Sequence, residues 1–199
     1  SEARYQPGEC PPVEQIIDDW DDAPKKAARQ MMDRYGPPNE ATPSMLIWMN
    51  NGPWRHTIIT RQQFDHKFPM PHKDVLEQTI SYHVPVDKVD DLAAYDGSVI
   101  VERTRGTISA RCDREEANFL ALNLANDIVH GMKSVDEARQ YYSEAIGRLM
   151  AGDKPEYTQG LRFSVPSMDE AVDPDETTMS DSMIAMAKEK MSQMAEKVG

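Results

Sequence analysis

Cysteine is scarce: only Cys10 and Cys112 occur in 199 residues, too far apart for a zinc-finger pair or a redox CxxC. One covalent option stays open. In an oxidising compartment the two could pair and tie a Pro-rich N-terminal arm to the rest of the chain. Two unpaired thiols, with Cys112 buried, are the equal alternative. Long apolar runs are missing as well. Crossing a bilayer takes roughly 18 consecutive apolar residues, and stretches such as 45–49 have only the length of a buried strand. No Gly-rich phosphate loop occurs, since Gly97, Gly106 and Gly131 are isolated turn or stop glycines. Basic side chains are outnumbered, 22 against 34 acidic ones, for a net charge of −12. The densest basic stretch, Lys25, Lys26 and Arg29, is flanked by Asp21, Asp22 and Asp33. Such a surface repels a phosphate backbone, which argues against nucleic acid as a partner. The first residue is Ser1; a trimmed initiator Met and a cleaved signal peptide both fit it.

What is present describes an acidic, soluble globular chain. Hydrophobic residues make up 39% and charged residues 28%, enough apolar material for one core at this length. Residues 1–12 read as an extended arm, 13–165 as a single domain, and 166–199 as an acidic linker followed by a helix-prone segment. The domain opens with one or two helical turns at 13–20. A helix then begins near Asp22, which is placed to cap it; Pro24 suits its first turn and Gly36 its end. Its inward face would be Ala28, Met31, Met32 and Tyr35. Two strands, 45–50 and 55–61, flank an Asn51-Gly52 turn signal. Residues 62–76 read as irregular because Pro69 and Pro71 remove backbone donors. Further strands are expected at 78–84, 98–103 and 107–112, with a possible last edge strand at 157–165 and a short helix at 87–95. After residue 112 the apolar period changes from 2 to 3.6. Asp113 with Glu116 and Ser134 with Glu137 are capping-box pairs that open two long helices. Strands before helices predict an α+β fold: a mostly antiparallel sheet of about five strands, helices on one face, and a C-terminal tail helix.

One stretch carries a resemblance. A short helix, then Tyr35-Gly36-Pro37-Pro38-Asn39-Glu40, then Met45-Leu46-Ile47-Trp48 and a second strand, is similar to modules of small bacterial envelope proteins of the BamE-like (outer-membrane assembly lipoprotein) and beta-lactamase-inhibitor-protein-like type. Gly36, Pro37, Glu40 and Trp48 carry it, within residues 25–61. The resemblance implies an envelope location, periplasmic or secreted, and a role in binding proteins.

Side chains able to do chemistry gather between Asp65 and Asp74. His66 and His72, the carboxylates of Asp65 and Asp74 and the thioether of Met70 suit zinc or copper, and the Pro69–Pro71 pairing would stiffen a loop carrying them. The spacing matches no established metal motif. The alternative is a loop over the sheet, with Phe68 and Met70 packed and the imidazoles bonded to backbone. Beside Arg111, Cys112 is the one cysteine with a nucleophile's neighbourhood, yet its strand register points it into the core. Asn118, Asn123 and Asn126 lie within an apolar helix and would hold a partner element by hydrogen bonds. The tail repeats Met179, Met183, Met186, Met191 and Met194 at helical spacing. It has no His, so an adaptable apolar stripe that docks on another subunit or a second copy explains it better than copper binding. The expected function is therefore a non-catalytic accessory protein of a bacterial envelope assembly. A metal- or cofactor-binding protein built on His66 and His72 is the second reading, and an enzyme the third.

Overall fold

The computed structural model describes residues 12–196; the arm that contains Cys10 lies outside them, and with it any pairing to Cys112. Among the described residues, seven α-helices and six strands follow one another: α1 Val13–Asp18, α2 Asp22–Tyr35, β1 Glu40–Thr42, β2 Met45–Asn51, β3 Trp54–His66, β4 His72–Ser81, α3 Val89–Tyr95, β5 Val99–Glu102, β6 Thr107–Cys112, α4 Glu115–Val129, α5 Val135–Met150, α6 Met168–Ala171 and α7 Asp181–Glu196. The strands form one antiparallel sheet in the order β1-β2-β3-β4-β6-β5. The fold is α+β, and α2 and α4 share one face of the sheet.

Local chemistry explains most of the boundaries. Asp21 rather than Asp22 occupies the N-cap of α2, and Gly36 ends the helix at φ 78. Pro24, Ala27, Ala28 and Met31 recur along α2 at three- and four-residue steps and are its buried stripe. The capping box of Ser134 and Glu137 opens α5, each satisfying the other's backbone N–H. Asp113 forms no such box. Arg114 is the N-cap of α4, and Asp113 takes both arms of its guanidinium at 2.8 and 2.7 Å.

The sheet is longer than the local signals suggest. Residues 62–76 are not irregular: β3 runs through to His66, β4 starts at His72, and the prolines occupy the turn between them. The pairing shifts register between Ile59 and Phe64, so a bulge bends this hairpin midway. In place of an edge strand at 157–165 there is a 3₁₀ turn, Glu156–Thr158, and a loop. Asn123 draws that loop onto α4, donating to the carbonyls of Tyr157 and Gly160 and accepting from Arg162 N–H. Those three hydrogen bonds seat the loop on α4 rather than at the sheet edge.

Two apolar clusters fill the helix side. One gathers Trp54, Ile80, Leu92, Tyr95, Phe119, Leu120, Leu124 and Ile128 around α4. The other seats Ile16, Ile17, Trp20 and Met31 on Leu46, Trp48, Ile59 and Leu76. The opposite sheet face is a half-buried row of Ile47, Ile58, Glu77 and Arg111, aligned by strand register. Beyond α5 the chain stays on the domain past residue 165. Ala171 is fully buried against Gly106 in the β5–β6 turn, and Arg103 binds Asp173 at 3.0 Å and Asp175 at 2.6 Å.

Candidate metal centre

The tip of the β3–β4 hairpin builds the site. Strand pairing sets His66 directly across from His72, and Asp74 follows two residues on. A strand alternates its faces, so the neighbours Asp65 and Lys73, also a cross-strand pair, turn the other way. They meet at 2.5 Å as an exposed ion pair. The tip is held down from outside the sheet. Phe68 packs at a tilt against Tyr142 of α5, with ring centres 5.0 Å apart, and the Arg139 guanidinium lies over the Phe68 ring at 3.9 Å.

Potential ligand atoms of His66, His72 and Asp74 all lie within 4.8 Å of one another. Each of the three has its second polar atom engaged elsewhere. His72 Nδ1 is 2.8 Å from the Met70 carbonyl, which fixes the proton there and turns Nε2 inward. His66 Nε2 lies 3.5 Å from Asp96 Oδ1, which leaves Nδ1 facing Asp74. Asp74 Oδ2 accepts the Ser98 hydroxyl, itself positioned by the 2.8 Å bond from Ser98 N–H to Asp96. What turns inward is His66 Nδ1, with the Ser98 hydroxyl 3.5 Å away, together with His72 Nε2 and Asp74 Oδ1. The last is buried with no well-directed hydrogen bond, 3.1 Å from the imidazole nitrogen.

Electrostatics calls for a positive charge at this point. Burial by itself would lower the His72 pKa. The Asp74 carboxylate, the Cys112 sulfur and the Met70 carbonyl outweigh it and push the value up to about 11. Asp96 moves up through burial, against the Ser98 N–H and the imidazoles. Another buried carboxylate shows the contrast. Glu115 Oε1 accepts from Tyr35 Oη at 2.7 Å, Trp54 Nε1 at 2.5 Å and Gln78 Nε2 at 2.9 Å, and Oε2 is paired with the permanently charged Arg34 guanidinium. Glu115 is satisfied and ties α2 and the sheet to α4. Asp74 Oδ1 has only the His72 imidazole beside it, at 3.1 Å, so a proton on Nε2 or a metal ion in its place would neutralise it.

Of the residues the sequence points to, the structure unites His66, His72 and Asp74. Asp65 stays on its exposed pair with Lys73, and the Met70 side chain is exposed beside a cavity while only its carbonyl reaches the site. That cavity, of about 170 Å³, is lined by Met70, His72, Cys112, Tyr142, Ile146 and Leu149 among others. Asp96 and Ser98 join from the end of α3, where the sequence signals only a helix stop; nothing in their spacing marks them. Met179, Met183, Met186, Met191 and Met194 are all exposed, Met186 at 71%. Asn118, Asn123 and Asn126 spend their amides on Leu76 and Gln78, on the 157–162 loop and on Tyr82. No protein-family model matches the chain, and neither does any curated protein or solved structure.

Proposed function

We propose that this is a metal-binding protein that holds one divalent transition-metal ion between His66, His72 and Asp74. The observation that carries the reading is the division of labour within each side chain: one polar atom tied to an outer partner, the other turned inward. Metal ligands are oriented in this way, with an imidazole N–H on a carbonyl or carboxylate and a ligating carboxylate itself hydrogen-bonded. Two imidazoles and a carboxylate suit zinc and its neighbours, and disfavour magnesium or calcium. Metal analysis of the purified full-length chain and calorimetric titration with zinc test the proposal. One ion per chain is expected, with loss of uptake in His66→Ala/His72→Ala and retention in Asp65→Ala. Undiminished uptake by the double variant would overturn it, and the cluster would then be an imidazolium–carboxylate pair.

A second reading rests on a different observation. The methionine stripe of α7 is exposed along its length, and a lone helix of this size is marginal in water without a surface to dock on. This favours an accessory protein whose tail contacts another subunit or a second copy. The resemblance of residues 25–61 supports a bacterial envelope setting for it. Deleting residues 177–199 spares the Arg103 anchors; assembly unchanged by size and co-purification would rule that use of the tail out.

A further inference from the structure

Resting on the metal reading above, we propose that Cys112 supplies a fourth donor and closes the coordination sphere as a tetrahedral His66–His72–Asp74–Cys112 set. Ligand atoms bonded at about 2.0–2.3 Å to one tetrahedral ion stand about 3.3–3.6 Å from each other. Two edges meet at His72 Nε2 and lie close to that length: 3.1 Å to Asp74 Oδ1 and 3.3 Å to Cys112 Sγ. Cys112 ends β6, the strand beside β4, and is paired with Leu76, so it arrives from the neighbouring strand rather than from the hairpin itself. Besides His72, its sulfur has the Tyr142 hydroxyl and, at 3.7 Å, the Asp113 carboxylate as polar neighbours, and it forms no disulfide among the described residues.

Other candidates for the fourth position are occupied. Asp113 is held by both arms of Arg114, and Asp96 by Ser98 N–H and His66. Ala117, Tyr142, Ile146 and Leu149 make the cavity wall beside Cys112 mainly apolar. As the sulfur–metal bond forms, the thiol proton is released to solvent through that cavity. A thiolate in the set shifts preference further toward zinc, cobalt and cadmium. Four protein donors leave no position for a substrate, so the ion fastens the hairpin tip to the end of β6 or is carried as cargo.

Cobalt(II) added to the purified full-length protein reads the two proposals separately. Visible d–d bands report a bound ion, and a near-ultraviolet charge-transfer band reports sulfur bonded to it. Wild type is expected to show both, and Cys10→Ser as well. Cys112→Ser should keep the d–d bands, lose the charge-transfer band and bind roughly tenfold or more weakly. Cys112→Ala serves as a second variant, each checked for fold by circular dichroism. If wild type shows d–d bands alone, or Cys112→Ser keeps the charge-transfer band, the Cys112 proposal falls while the metal reading stands. If no cobalt binds at all, the metal reading itself fails.

Discussion

Asp74 and Asn123 show how one buried side chain can be judged by what its atoms face. Asp74 directs one oxygen at the Ser98 hydroxyl and the other at the His72 imidazole, whose Nδ1 is held by the Met70 carbonyl. Replacing it with Asn keeps the shape and removes the charge. Asp74→Asn is expected to weaken zinc binding by about 10- to 100-fold, measured by competition with a chromophoric chelator. Asn123 has no such excess, because each of its bonds goes to backbone of the 157–162 loop. Asn123→Ala strands those groups and should cost about 1–3 kcal/mol in urea unfolding, with metal affinity unchanged. Lys133 gives a pH signature. Its hydrogen bond to the buried Asp127 carboxylate, 2.7 Å long, raises its pKa above 10.5 against some desolvation. A base with a raised folded-state pKa contributes stability that is fully present below 10.5 and fades as pH climbs through the raised value. Wild type should therefore lose urea resistance in strong alkali more steeply than Lys133→Met does.

At the scale of elements, what could be read in advance was what is local. The Ser134–Glu137 box, the Gly36 stop and the β5–β6 hairpin each depend on residues a few positions apart, and each stands where its spacing puts it. The long β3–β4 hairpin was hidden because Pro69 and Pro71, which break strands in general, sit here within the turn that joins two. The metal cluster was half visible for a related reason. His66, His72 and Asp74 are close in sequence, but only strand pairing tells that Asp65 turns away while Asp74 turns in. Asp96, Ser98 and Cys112 come from other elements and leave no mark in spacing. The β5–β6 turn also holds the start of the tail: a Cβ on Gly106, at φ +62, would come within 2.3 Å of the Ala171 backbone. Gly106→Ala should cost about 1–2 kcal/mol from the backbone conformation alone and should release α6, read as faster proteolysis within residues 172–180.

Across the whole molecule, the ion would bridge two places far apart in sequence, the hairpin tip and the end of β6. Binding to the folded state alone adds about 2.7 kcal/mol at a free-ion concentration a hundred times Kd. For a chain of this length that raises the melting temperature by roughly 5–10 °C. Calorimetry with zinc and then with excess chelator should show that rise and its reversal, and neither should appear in His66→Ala/His72→Ala.

The salt bridges of Arg103 to Asp173 and Asp175 also set a geometric limit. Between Asp175 and the first residue of α7, Asp181, the backbone spans at most about 20 Å even fully stretched. That short leash keeps the first turn of α7, though not its far end, near the β5–β6 turn. If the tail captures a subunit as proposed, the first turn of α7 does so close to the β5–β6 turn, and photo-crosslinkers placed on Ile100 and on Met183 should label the same partner.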